Sequence, residues 1–259
     1  MFSYDKSYVS QLYIYLNMGR RRNINAIKKN KTTSPIILIQ LIAVFAIVSE
    51  ACGETANNNF HMENKNKATL MDTGSDRPGN SSSVDTITLG GGCFWCVEAV
   101  YEMLDGVIKV ESGYSGGTVK NPSYREVCTG RTGHAEVAQI TFDNSKTSVD
   151  EILKVFFTVH DPTTLNKQGA DVGTQYRSVI FYRNEQQRNA AKSIIDGLNN
   201  EHVYENPVVT QLAPFTNFYK AEDYHQDYYN QNKQEPYCRL VIQPKLEKFE
   251  KLFKDRLKK

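Results

Sequence analysis

The period of apolar and polar positions changes several times along this chain after residue 85. Residues 86–90 alternate as a β-strand does, and residues 93–104 carry the apolar spacing of a helix. A basic amphipathic helix with solvated charges is predicted at 245–258. The other predicted elements are strands at 106–114, 134–142, 178–182 and 208–212 and helices at 148–160 and 184–198.

This order of strands and helices predicts an α+β fold. We expect a ferredoxin-like two-layer sandwich, in which helices pack on a mixed sheet built from βαβ-type units. Ser148 is expected to cap the helix that follows it, with Glu151 three residues later completing a capping box.

The first 84 residues have a different pattern. Basic residues at 20–31, an apolar run at 36–48 and then small residues follow the order of an export signal. The apolar run is shorter than the roughly 18–20 residues of a stable membrane span. Cys52, directly after it, resembles the acylated cysteine of a bacterial lipoprotein signal.

We therefore predict a signal at 1–52, a flexible polar linker at 53–84 and a catalytic domain at 85–259. The cell envelope or periplasm is the expected location, with a membrane contact only through the N-terminal segment. An uncleaved signal anchor and a cytoplasmic protein with an over-extended start are the alternatives.

Composition limits the possible classes of function. The chain has 259 residues, 40% of them hydrophobic, and a formal net charge of only +2, which gives no reason to expect a nucleic-acid partner. Its five cysteines lack the regular spacing of a disulfide-stabilised domain, which favours catalytic or redox thiols over a disulfide scaffold.

The segment Gly90-Gly91-Gly92-Cys93-Phe94-Trp95-Cys96 carries the strongest chemical signal. It places Cys93 at a predicted helix N-terminus, where unpaired N–H groups and the helix dipole favour a thiolate. Buried core thiols and a thioredoxin-like thiol–disulfide oxidoreductase are alternatives. So is a zinc-stabilised module, whose candidate ligands are Cys93, Cys96, Cys128 and His134.

Seven short motifs occur in order between residues 92 and 226. They are Gly92-Cys93-Phe94-Trp95 and the segments 113–117, 124–128, 133–136, 160–162, 173–178 and 221–226. In this combination the chain, over roughly residues 86–245, resembles the A-type peptide-methionine (S)-S-oxide reductases.

The resemblance implies a mechanism for reducing the S epimer of methionine sulfoxide, in proteins and as the free amino acid. Cys93 would attack the sulfoxide sulfur and become a sulfenic acid. Glu126 would be the proton donor, a role that requires a partly buried carboxyl with a raised pKa. Tyr114 and Tyr176 would bind the sulfoxide oxygen, and Asp171 would support them.

The resemblance also implies positions around the substrate. Phe94 and Trp95 would form the apolar wall that receives the substrate's S-methyl group. Glu222 and His225 are expected to support these groups rather than to react.

The cysteine that resolves the sulfenic acid is an open choice at this point. Many relatives carry Gly in place of Cys96 and have recycling cysteines in a glycine-rich tail that this sequence does not show. Cys96 is favoured over Cys238, although closing a disulfide between residues i and i+3 of one helix face needs a small unwinding of the first turn. A thioredoxin-like donor would reopen the disulfide. No metal or other cofactor is expected, and we expect a monomer.

Overall fold

The computed structural model describes residues 83–259, which alternate between strands and helices as predicted. The strands are β1 (Val84–Gly90), β2 (Val107–Ser115), β3 (Ala135–Asp143), β4 (Lys167–Gln168), β5 (Asp171–Val172), β6 (Val179–Tyr182), β7 (Gln211–Pro214) and β8 (Tyr219–Lys220). The α-helices are α1 (Phe94–Glu102), α2 (Tyr124–Cys128), α3 (Val149–Val159), α4 (Glu185–Asn200), α5 (Tyr228–Gln231) and α6 (Gln243–Leu252). A π-helical turn, Cys238–Ile242, runs directly into α6.

Six strands form one sheet in the order β7-β6-β1-β3-β2-β8. Neighbouring strands are antiparallel except for the parallel pair β6 and β7, so the sheet is mixed. The four central strands follow the βαββαβ arrangement, which confirms the ferredoxin-like α+β prediction. The strand predicted at 208–212 forms later, as β7, and β4 and β5 make a separate hairpin.

Alternation along the strands divides the apolar residues between two faces of the sheet. In β3, Ala138, Ile140 and Phe142 join the main core with the helices, whereas Ala135 and Val137 lie in a second small cluster. The period of two that predicted the strands therefore also fixes which side chains face the helical layer.

The capping box predicted for α3 is only half formed. The Ser148 hydroxyl accepts the Glu151 N–H, as predicted. The Glu151 carboxylate pairs instead with Lys154 at 2.8 Å and Arg256 at 3.0 Å. A complete capping box occurs in α2, between Ser123 and Glu126.

The predicted C-terminal helix is shorter and less solvated than its charge pattern indicates. Helix α6 ends at Leu252, while Lys245 and Lys248 are half-buried. The Lys248 ammonium donates to the Thr158 carbonyl at 2.6 Å. The prediction of a solvated charged face is therefore wrong for these two lysines, because α6 packs against α1 and α3.

The N-terminal predictions lie outside the described residues, including the signal at 1–52, the candidate Cys52 and nearly all of the linker. Val84, assigned to the linker, already belongs to β1. Among residues 83–259, no helix is long and apolar enough to cross a membrane.

Gly90, at the end of β1, is expected to tolerate no side chain. A Cβ atom there would lie 2.8 Å from the Val179 side chain and 2.9 Å from the Glu136 carbonyl oxygen. We expect Gly90→Ala to lower the free energy of unfolding by about 1–3 kcal/mol, the usual cost of overpacking. Urea unfolding measures this free energy. An unchanged midpoint would show that the neighbouring strands accommodate the Cβ atom without loss of stability.

Candidate active site

A glycine turn places Cys93 immediately before α1. Gly92 has a φ of 91°, a conformation that strains residues with a Cβ atom. Cys93 is then the N-cap residue, as the sequence predicted, with an extended backbone and a side chain that is only 6% exposed.

Cys93 and Cys96 form a hydrogen-bonded pair of buried thiols. Cys93 lies outside the helix and Cys96 is the third helical residue, a spacing at which an N-cap side chain naturally approaches the helix. The N–H of Cys96 also donates to the Cys93 carbonyl at 3.1 Å. The unwinding expected for two residues on one helix face is therefore not needed.

The negative charge of this pair lies on Cys96. Burial, and then the hydrogen bond and charge of Cys96, raise the pKa of Cys93 well above its usual value. The hydrogen bond from Cys93, supported by Lys245, lowers the pKa of Cys96 to about 6 although burial opposes it. Burial thus opposes the resting Cys93 thiolate that the sequence predicted.

The other two described cysteines have different surroundings. Cys238 is fully buried at the start of the π turn. Burial is the main cause that raises its pKa, and the charge of Cys96 raises it further. Cys128 is exposed at the end of α2, where its side chain hydrogen-bonds Tyr124.

Glu126 does not meet the requirement for the proton donor. Its side chain is exposed, and hydrogen bonds from the Ser123 N–H and hydroxyl, both at 2.8 Å, lower its pKa. The assignment of Glu126 is thus corrected: its carboxylate is held ionised in the capping box of α2.

Glu136 on β3 has the properties that the donor requires. It is only 1% exposed, and its carboxylate accepts the Phe94 N–H at 3.2 Å, next to Cys93. Burial raises its pKa to about 8, with smaller contributions from the charges of Asp171 and Cys96. Near neutral pH this carboxyl is largely protonated and can donate.

The raised pKa of Glu136 predicts a pH-dependent stability. Because an unfolded Glu titrates at about 4.3, the folded chain binds this proton more tightly. The resulting stabilisation is complete below about pH 4 and is lost as the pH rises through about 8. We expect the Tm of the parent to fall relative to that of Glu136→Gln across this window. A Tm difference that is constant with pH would contradict the assigned pKa.

Tyr114 and Glu222 form one hydrogen-bonded unit beside Phe94. The buried Tyr114 hydroxyl donates to the Glu222 carboxylate at 2.8 Å, and the same carboxylate accepts the Tyr124 N–H at 2.8 Å. These bonds lower the pKa of Glu222 although partial burial opposes them. To bind a sulfoxide oxygen, Tyr114 must exchange this acceptor for the substrate.

Tyr176 and Asp171 lie on the segment that follows β4. Burial raises the pKa of Tyr176, and the charges of Glu136, Cys93 and Asp171 add to the effect, so the hydroxyl stays protonated. The Asp171 carboxylate accepts the Tyr237 hydroxyl at 2.7 Å. Asp171 thus orients a tyrosine that the sequence analysis did not select.

Aromatic rings cover the helix start. Trp95 stacks on Tyr228 with ring centroids 3.6 Å apart and meets the edge of Tyr237 at 5.8 Å. Phe94 is fully buried beneath Trp95. Phe94 and Trp95 therefore pack together at the helix start, and C-terminal tyrosines extend this aromatic cluster.

His225 supports this wall, in the position expected from the sequence. Its ring nitrogen Nδ1 accepts the Trp95 N–H at 3.2 Å, and burial lowers its pKa. The neutral ring fixes Trp95, and Glu222 lies 3.9 Å from its other nitrogen.

The ligands of the zinc alternative do not converge. His134 is occupied by the Gly117 N–H at 3.1 Å and the Val119 carbonyl at 2.8 Å, and Cys128 is exposed. In the described part of the chain, no group of three or more His, Cys, Asp or Glu side chains could hold a metal ion.

Known proteins match most of the described part of the chain. Residues 85–257 match the family described as peptide methionine sulfoxide reductase. Peptide methionine sulfoxide reductase MsrA of Saccharolobus solfataricus is 60% identical over 175 residues, 68% of this chain and 98% of that protein. MsrA of Trichodesmium erythraeum is 52% identical over 174 residues, 67% of this chain and 98% of that protein.

Solved structures show the same similarity. Reduced Mxr1 from Saccharomyces cerevisiae has a TM-score of 0.56 at 34% identity, covering 61% of this chain and 91% of that chain. Methionine sulfoxide reductase A of Corynebacterium diphtheriae has a TM-score of 0.55 at 33% identity, covering 60% and 78% of the two chains.

Proposed function

The chain belongs to the peptide methionine sulfoxide reductase family, whose members reduce methionine sulfoxide, and on that premise we propose that Cys93 is its nucleophile and Glu136 its acid. The observation that carries this proposal is the contact between the buried Glu136 carboxyl and the Phe94 N–H, one residue after Cys93. It places a proton donor from β3 beside the turn that carries the thiol.

In the first step, the Cys93 thiol passes its proton to the Cys96 thiolate with which it is hydrogen-bonded, and the Cys93 sulfur attacks the sulfoxide sulfur. Glu136 protonates the sulfoxide oxygen, which leaves the substrate and stays on Cys93 as a sulfenic acid. Methionine departs, and the proton on Cys96 returns to the Glu136 carboxylate. The Tyr114 and Tyr176 hydroxyls stabilise the oxygen during the transfer.

In the second step, the Cys96 thiolate attacks the Cys93 sulfenic acid and forms a disulfide. Cys96 is proposed for this role because it hydrogen-bonds Cys93 in the folded chain. Cys238 is fully buried in the π turn preceding α6.

The disulfide must be reopened by an external thiol donor. We propose a thioredoxin-like dithiol, because exchange between a thiolate and a disulfide needs no further cofactor. Cys93 and Cys96 are both under 7% exposed, so the Tyr228 and Tyr237 rings have to move before a donor sulfur reaches them.

We propose that the apolar and the polar side of the site together select the S epimer. A substrate with its methyl group on the Phe94 and Trp95 wall and its oxygen toward Tyr176 and Glu136 presents only one configuration at sulfur to Cys93. The test is reduction of the separated epimers, free and in a peptide, with a dithiol donor. Methionine should form from the S epimer alone, and equal turnover of the R epimer would refute this account.

We also propose that the enzyme is exported and anchored through lipid on Cys52, with a monomeric catalytic domain. The support is the order of basic, apolar and small residues at 20–53. Expression of the full chain in a bacterium, followed by fractionation and mass measurement, should find an acylated chain beginning at Cys52. An intact N-terminus in the cytoplasm would refute the anchor.

A further inference from the structure

Lys245 is a cation beside the thiol pair that the proposed reaction has not yet used. It hydrogen-bonds Cys96, and its charge acts on Cys93, Cys96 and Asp171. A half-buried ammonium loses hydration and is stable there when an anion compensates. The contact with Cys96 raises the pKa of Lys245 although burial opposes it, so Lys245 remains charged.

A π turn directly precedes α6, the helix that carries Lys245. In a regular helix the ring of Pro244 would clash with the carbonyl of Leu240. The π turn Cys238–Ile242, in which the Gln243 N–H bonds the Cys238 carbonyl, adds a residue and relieves this clash. Leu246 and Phe249 enter the core, and α6, which carries Lys245, packs against α1.

We propose that Lys245 is a positioning residue for disulfide formation, holding the Cys96 sulfur as a thiolate directed at the Cys93 sulfenic acid. This role rests on the proposed function, in which Cys96 closes the disulfide. The Cys96 sulfur forms a bond to the Cys93 sulfur while the S–O bond of the sulfenic acid breaks. The leaving hydroxide takes a proton from solvent and departs as water.

Several titratable groups surround this pair and share in its pH dependence. On α6 and the preceding segment these are Tyr237, Cys238 and Lys248; on other elements they are Cys93, Glu136, His160 and Asp171. The positive charges of Lys248 and Lys245 repel each other. Among the described lysines, Lys245 is the one that hydrogen-bonds Cys96.

The test separates the two chemical steps in a single turnover with methionine S-sulfoxide and no reductant. For Lys245→Met, we expect one equivalent of methionine per chain, as in the parent, but disulfide formation about tenfold slower at about pH 7, the effect of one pKa unit on a thiolate. The sulfenic acid should accumulate and be trapped on Cys93 by a cyclic 1,3-diketone. Lys245→Arg should restore most of the rate, and the exposed Lys251→Met should match the parent.

The pH profile distinguishes a charge effect from a structural one. The rates of disulfide formation in Lys245→Met and the parent should converge above about pH 9, where an ordinary thiol also ionises. Equal rates at about pH 7, or a loss that is the same at every pH, would overturn the role of Lys245. An internal disulfide that still forms in Cys96→Ser would instead overturn the proposed function.

A second measurement keeps the proposal testable if Lys245→Met does not fold. Ultraviolet titration of the thiolate in Cys93→Ser, which retains Lys245, should find that Cys96 ionises well below the ordinary cysteine value of about 8.5. An ordinary value would contradict the proposal whatever the behaviour of the lysine variants.

Discussion

Replacing Glu136 with Gln is expected to lower kcat/KM for methionine S-sulfoxide by about 10²–10⁴-fold, the usual contribution of a positioned general acid. The amide keeps the size of the side chain and can still accept the Phe94 N–H, but it has no acidic proton to donate to the leaving oxygen. The Tm of this variant should stay near that of the parent below about pH 5, where both side chains are neutral.

Glu126→Gln is the matched control, because the resemblance to the family first suggested Glu126 for this role. Glu126 is exposed and hydrogen-bonded to Ser123, so the change should alter kcat/KM by less than about twofold. Its one structural effect should be a weaker N-terminal cap of α2. A large loss in Glu126→Gln with normal rates in Glu136→Gln would reverse the correction made from the structure.

The cysteine variants should divide the reaction into its steps. Cys93→Ser should form no methionine at all, because a serine hydroxyl cannot form the sulfenic acid that takes up the oxygen. Cys96→Ser should still release one equivalent of methionine per chain in a single turnover but should lose sustained turnover with a thioredoxin-like donor. Rapid-quench measurement of methionine, with and without the donor, checks both results.

Cys238→Ser serves as the control for these variants. Cys238 is buried, so a modest loss of stability is expected, but sustained turnover should remain. Loss of turnover in Cys238→Ser, with normal turnover in Cys96→Ser, would make Cys238 the resolving thiol.

The order of elements and the position of Cys93 could be predicted because both depend on local pattern. Period-two alternation identified the central strands, and a glycine run before a helical pattern identified the helix start. The strand at 208–212 was displaced because β7 forms only where it can pair with β6, a long-range constraint.

The proton donor was assigned wrongly because sequence spacing does not report burial. Glu126 and Glu136 lie in neighbouring motifs, and only the fold buries one and exposes the other. A signal was nevertheless present, since Glu136 is in phase with Ala138, Ile140 and Phe142, which all face the core. A carboxyl at an inward position of a strand indicates a functional group.

Lys245 and the C-terminal tyrosines had no comparable signal. Lys245 lies in the regular helix α6, and its charge alone predicted a solvated side chain. The contacts of Tyr228 and Tyr237 with Trp95 join segments more than 130 residues apart, which no local pattern encodes.

The central claim is that Cys93 takes the sulfoxide oxygen and Cys96 then closes the disulfide. Its most direct test is mass spectrometry of the chain after one turnover with methionine S-sulfoxide in the absence of reductant. We predict one equivalent of methionine and a digest in which Cys93 and Cys96 are joined while Cys128 and Cys238 remain free thiols. A disulfide between Cys93 and Cys238, or methionine release without any change at Cys93, would contradict the account.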